Sequence, residues 1–127
     1  MGALALDASV AIAVLDATDA HHEQATAALR AQGRSPLVMA ASAYSEALVQ
    51  PLSKGREDAV EEFIESLGVE VVAADRRIGW RAAELRVRHR ALRLPDALVL
   101  ATAQACEADL LTFDDRLARL AGEGAQS

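Results

Sequence analysis

Short uninterrupted apolar runs alternate along this chain with longer stretches whose apolar residues recur three and four positions apart. A brief apolar run closed by a polar residue suits a strand buried on both faces, whereas a 3.6-residue period marks a helix with one inward stripe. Ala3-Leu4-Ala5-Leu6, ended by Asp7, reads as a first strand, and a helix starting at Ala8 or Ser9 follows it. Asp19 is placed to cap a helix from Ala20 to about Gln32, with Gly33 closing it. Pro36 to Ala40 predicts a second strand, followed by a helix from about Ser42 towards Pro51. The pattern breaks from Ser53 to Arg56. Glu57 to Leu67 then forms an amphipathic helix, ended by Gly68, before a third strand from Val69 to Ala73.

The second half repeats the alternation. A helix from Asp75 to Ala91 carries Ile78, Ala82 and Leu85 inward, and a helix from Pro95 to about Cys106 is apolar on nearly every face. Asp109 to Thr112 is a fourth short strand. A last helix from Asp115 to Ala121 leaves 122–127 as a flexible tail. Strands alternating with helices imply an α/β fold, a parallel sheet with helices layered on both faces. At 127 residues, with no repeat or linker, the chain reads as a single domain over 1–127.

Composition narrows the function classes. No apolar run approaches a membrane span, and Asp7 interrupts the first apolar stretch where a signal peptide would continue, so a soluble cytoplasmic protein is expected. The lone Cys106 excludes an intramolecular disulfide and reads as a small buried thiol. His21 and His22 are adjacent and point in different directions on a helix, which argues for a solvated surface rather than a shared metal. Net charge is −6, which by itself disfavours nucleic acid. Its distribution changes that picture. Between Arg76 and Arg93 lie seven arginines against Glu84 alone, a local charge of +6 that leaves −12 for the remainder.

The candidate chemistry lies in four acids. Asp7 follows the first strand, Glu46 sits in a nearly uncharged helix after the second, Asp96 opens the apolar helix, and Asp114 follows the fourth strand. Taken singly, Asp7, Asp96 and Asp114 have an ordinary reading as helix caps and Glu46 as a surface residue. Taken together, they converge at the carboxyl ends of the strands, where parallel sheets bind ligands. Clustered carboxylates repel unless a cation compensates, and an all-oxygen cluster suits Mg²⁺ or Mn²⁺.

Leu6-Asp7-Ala8-Ser9, Ser45-Glu46, Leu94-Pro95-Asp96-Ala97-Leu98 and Leu111-Thr112-Phe113-Asp114, in that order, resemble the PIN-domain ribonucleases. Among these they look most like the VapC toxins of type II toxin–antitoxin modules. The resemblance implies a three-layer α/β/α domain with a short, mainly parallel sheet of four or five strands. It also implies metal-dependent endoribonuclease activity, with Asp7, Glu46, Asp96 and Asp114 as the catalytic quartet. Asp7, Asp96 and Asp114 would be ligands of Mg²⁺, or Mn²⁺ in its place. Ser9 and Thr112 match accessory hydroxyl positions, and Asp115 is an additional acid that reaches the metal or caps the last helix. A cognate VapB-like antitoxin and a homodimer are implied as partners beside the RNA substrate. Arg86, Arg88 and Arg90 contact RNA or antitoxin, or merely form a solvated face. Many relatives continue into a further strand where this sequence reads Gly122 to Ser127.

Two other enzyme readings and one binding reading stand beside this one. A receiver-type phosphoacceptor also clusters acids at strand ends, but it needs a late lysine, and the only lysine is Lys54. A PIN nuclease of RNA processing and a catalytically inactive PIN-fold interaction domain are the remaining alternatives. The inactive domain would tolerate neutral residues at all four positions.

Overall fold

The computed structural model describes residues 2–126. Four short strands, β1 (Leu4–Leu6), β2 (Leu37–Ala40), β3 (Glu70–Val72) and β4 (Asp109–Leu111), form one sheet in the order β3-β2-β1-β4. Every pairing is parallel, with Leu4 opposite both Leu37 and Asp109, and Val38 opposite Glu70. Seven helices connect and follow the strands: α1 (Ala8–Leu15), α2 (His22–Gln32), α3 (Ala41–Ser53), α4 (Glu57–Leu67), α5 (Arg76–Arg88), α6 (Leu94–Ala105) and α7 (Asp115–Gln126). The expected three-layer α/β/α architecture is present, with four strands rather than five among the described residues.

Successive strand residues point to opposite faces of the sheet, and the core divides accordingly. Leu6, Leu37 and Met39 join the larger apolar cluster with Val10, Phe63, Ile78, Leu85 and Leu100. Ala5 and Val38 turn the other way, against Ala103 and the half-buried Cys106. The thiol expected to be buried is therefore only half so. It sits just past the end of α6, and burial, followed by the charge of Glu70, pushes its pKa up. Helix α6 contributes Ala97, Val99, Leu100, Ala101, Thr102 and Ala103 to the interior, which explains its apolar faces. Thr102 satisfies its buried hydroxyl by donating to Leu98 O at 2.7 Å.

Several helix boundaries shift from the sequence expectation, each for a local reason. Helix α3 runs through Pro51 to Ser53, because a proline in the last turn forfeits one hydrogen bond and the turn still closes, Lys54 N donating to Gln50 O. Gly68 takes the left-handed conformation at φ 63° that ends α4. Helix α5 stops at Arg88 instead of Ala91, since the chain must turn at His89 to bury Leu92 at 2% exposure. Arg90 consequently lies in a loop. Helix α6 begins at Leu94 after Arg93, so Pro95 occupies the second helical position. Helix α7 continues to Gln126 across the span expected to be a tail, of which Ser127 lies outside the described residues. No described helix is long and apolar enough to cross a membrane.

Candidate active site

Strand order decides where a site can form. β1 is followed by β2 and β3 on one side, while β4 returns to pair on its other side, so the connections diverge at β1 and β4. Ligands of open parallel sheets bind outside the carboxyl ends of the strands at such a divergence. Asp7 follows β1 there, and Thr112 to Asp114 follow β4. The backbone closes the join, Asp7 N donating to Leu111 O at 3.1 Å.

Asp7 is a buried carboxylate with three donors. Ala8 N donates to Oδ1 at 2.8 Å, the cap predicted for α1. The Thr112 hydroxyl donates to Oδ2 at 2.7 Å and the Ser9 hydroxyl to the same oxygen at 3.3 Å. Ser9 Oγ in turn accepts from Phe113 N, and Thr112 Oγ1 from Asp114 N at 3.1 Å. Each hydroxyl can donate once and accept, so both are used in the two directions their chemistry allows. The two accessory positions inferred from the sequence thus lock the end of β4 onto the first acid.

Asp7, Ser9, Glu46, Asp96 and Asp114 line one open cleft of about 550 Å³, with Ile12, Leu92, Arg93 and Arg116. The acids differ in exposure: Asp7 is 8% exposed, the Asp96 side chain 31%, and Glu46 and Asp114 lie open to solvent. Asp114 Oδ1 accepts from Leu117 N at 2.9 Å and so caps α7. Of the two acids that could supply this cap, Asp114 makes it; Asp115 is the first helical residue and does not line the cleft. Asp96 caps nothing: Arg93 occupies the cap position of α6 and makes no side-chain cap bond. The ordinary explanation therefore fails for Asp96. Burial raises the Asp96 pKa most; Arg93 opposes this, the charges of Asp7 and Asp114 raise it further, and Arg116 lowers it.

The donor set suits a hard divalent cation. It is all oxygen, with no histidine or cysteine among the acids, and Asp96 carries a charge that its surroundings disfavour. Ser42 Oγ is buried without a hydrogen-bond partner in a recess beside Asp7, Glu46 and Asp96. Among the described residues, though, no three acid, histidine or cysteine side chains close into a finished metal cage. A slightly larger cavity, about 600 Å³, opens at the amino-terminal end of β4 between α6 and α7. Its lining is mostly alanine and leucine with Arg81, Gln104, Glu107 and Asp109, and it gathers no cluster of acids.

The basic segment divides into two parts. Arg77 Nη2 donates to Ala105 O and Arg81 Nε to Gln104 Oε1, fastening α5 to the end of α6. Arg86 Nε donates to Leu92 O, while Arg88 and Arg90 are exposed. His21 lies on the solvated surface as expected, its side chain 48% exposed, and there it meets an aromatic neighbour. Its ring stacks on Phe113, with centroids 4.3 Å apart and planes 11° from parallel, while His22 Nδ1 meets Ala13 O at 2.8 Å.

The sequence matches the PIN domain over residues 4–123. The chain belongs to the PIN-domain family. Several solved structures share its fold. VapC20 of Mycobacterium tuberculosis, a toxin that cleaves the sarcin–ricin loop, superposes with a TM-score of 0.77 at 21% identity, over 92% of this chain and 94% of that one. A toxin–antitoxin complex from Klebsiella pneumoniae gives 0.72 at 24% identity, over 86% and 84%. VapBC2 of Rickettsia felis, bound to a fragment of its promoter DNA, gives 0.72 at 16% identity, over 92% of each chain. No curated protein matches the sequence itself. Sequence reasoning passed over three residues of this PIN cleft. Arg93 was counted only as part of a basic run, and Arg116 and Ser42 carry no motif; only a helix register precise to one residue would have pointed them inward.

Proposed function

We propose that this PIN-domain protein is a metal-dependent endoribonuclease acting in the cytoplasm as the toxin of a VapBC-type pair. The observation that carries the reading is the convergence of Asp7, Glu46, Asp96 and Asp114 on one cleft at the carboxyl edge of the sheet. Asp7, Asp96 and Asp114 would hold Mg²⁺ or Mn²⁺. A bound ion of this kind lowers the pKa of a coordinated water and steadies charge on phosphoryl oxygens. Thr112 and Ser9 fix the Asp7 carboxylate, so this acid needs no rearrangement when the substrate arrives. Glu46, exposed at the cleft, orients the attacking water and takes its proton. The water oxygen bonds to phosphorus, the bond to the leaving ribose oxygen breaks, and that oxygen takes a proton from solvent while Glu46 returns to solvent the proton it accepted.

Exposed apolar surface supports the partners. Val49 and Leu52 on α3 and Trp80 and Val87 on α5 are between 57% and 75% exposed, apolar area suited to a VapB-like antitoxin and to a second copy of the chain. Arg86, Arg88 and Arg90 border the α5 patch and contact RNA or antitoxin. The decisive assay is cleavage of total RNA with Mg²⁺ or Mn²⁺ by the wild type and by Asp7→Asn. Asp7→Asn is expected to fold and to lose cleavage; full activity in it removes the site assignment.

A further inference from the structure

Two cations share the cleft with the four acids. Arg93 is the cap residue of α6, 72% exposed, with Nε 3.9 Å from Asp96 Oδ2. Arg116 lies in the first turn of α7 and donates from Nη1 to Ala91 O at 3.3 Å. Both stand at helix amino termini, the end where the helix dipole disfavours a cation. Sequences break such local rules chiefly where function requires it.

Both arginines act as counter-charges to Asp96, but among the described residues neither donates a hydrogen bond to an acid, so that role leaves their donors available. At 3.9 Å Arg93 is beyond hydrogen-bonding reach of Asp96. Arg116 spends one donor on a neutral carbonyl, which anchors one edge of its guanidinium, and its other four N–H groups have no partner among the described residues. A planar fork of donors anchored from behind, beside carboxylates able to hold a divalent ion, matches the oxygens of a phosphodiester.

We infer that Arg93 and Arg116 are positioning residues that grip the RNA backbone at the cleft, one from each helix mouth. This rests on the nuclease reading and goes beyond it by naming what orients the substrate. It carries a built-in opposition of sign. The same two charges that attract phosphate repel a divalent cation, so removing either weakens RNA binding while leaving metal binding unchanged or tighter.

The test measures binding of a labelled single-stranded RNA oligonucleotide to the Asp7→Asn protein with Mg²⁺ over a series of salt concentrations. Arg93→Gln and Arg116→Gln, each added to that background, are expected to weaken affinity about three- to tenfold. Each should also flatten the plot of log affinity against log salt by about 0.7, one phosphate contact on a single strand. Arg93→Lys and Arg116→Lys should keep the slope, which separates charge from fold. In the otherwise wild-type protein, the Mg²⁺-induced rise in melting temperature should not shrink in either Gln variant. Unchanged RNA affinity and slope in both Gln variants would overturn the inference, leaving the arginines as counter-charges. If the parent binds no RNA and the wild type cuts none, the nuclease reading fails and this inference falls with it.

Discussion

Replacing Thr112 with valine keeps the shape of the side chain and deletes the hydroxyl that joins the two ends of the chain at the site. Thr112 Oγ1 donates to the buried Asp7 carboxylate at 2.7 Å and accepts from Asp114 N at 3.1 Å. A hydrogen bond to a charged group contributes about 1.5–3 kcal/mol, and a neutral one about 0.5–1.5. Thr112→Val should therefore cost about 2–4 kcal/mol. Unfolding entropy near 2.1 cal/mol/K per residue gives roughly 0.27 kcal/mol per degree for 127 residues. The expected fall in melting temperature is thus roughly 7–15 °C, read by thermal melts in EDTA so that no ion contributes. Thr112→Ser should recover most of it. In an Asp7→Asn background the cost should drop by about 1 kcal/mol or more, because the charge that strengthens the bond is gone. A valine variant melting within about 2 °C of wild type would refute the reasoning, and Asp7 would then be held by Ala8 and Ser9 alone.

Three further outcomes follow from the cleft. The folded state raises the Asp96 pKa, so the native protein binds that proton more tightly than the unfolded chain, and metal-free stability falls as pH rises through the folded pKa. Asp96→Asn should accordingly be more stable than wild type in EDTA at pH 7. The gain should vanish below about pH 4, where Asp96 is protonated in both states; a gain equal at all pH values contradicts the electrostatic cause. Mg²⁺ or Mn²⁺ at a hundredfold excess over Kd should stabilise the wild type by about 2.7 kcal/mol, and clearly less in Asp114→Asn; equal melting shifts in the two would place the ion elsewhere. Charge reversal at Arg86, Arg88 and Arg90 should weaken RNA binding and its salt dependence if they face phosphate. If they face an antitoxin, complex formation fails while cleavage persists.

The sheet and its helices were legible because strand cores such as Leu37 to Ala40 are buried throughout, and buried runs need no partner to be recognised. The cleft was legible for the same reason in reverse. Acids that end apolar runs stand out, and the parallel topology sends them to one edge. What stayed hidden depends on side-chain direction and on long-range contacts. That α5 ends at Arg88 follows from burying Leu92, which the pattern of α5 itself does not contain. His21 stacks on Phe113 across 92 positions, and no local period signals it. The sequence offered both Asp114 and Asp115 as caps of α7, and which of them serves is a one-residue distinction that composition cannot draw.

The hydrogen bond from Thr112 to Asp7 spans 105 positions and ties the last strand to the first. It sets a schedule for synthesis. At about 5–20 residues per second, the ribosome needs roughly 5–20 s after Asp7 to reach Asp114. Throughout that interval, β1 lacks β4 as its outer neighbour and the first acid lacks its strongest donor. A prematurely terminated chain that stops before β4 retains Asp7, Glu46 and Asp96 but lacks Asp114 and the hydroxyl that fastens Asp7. The four-acid cleft is therefore complete only when the last strand and the residues after it have been made.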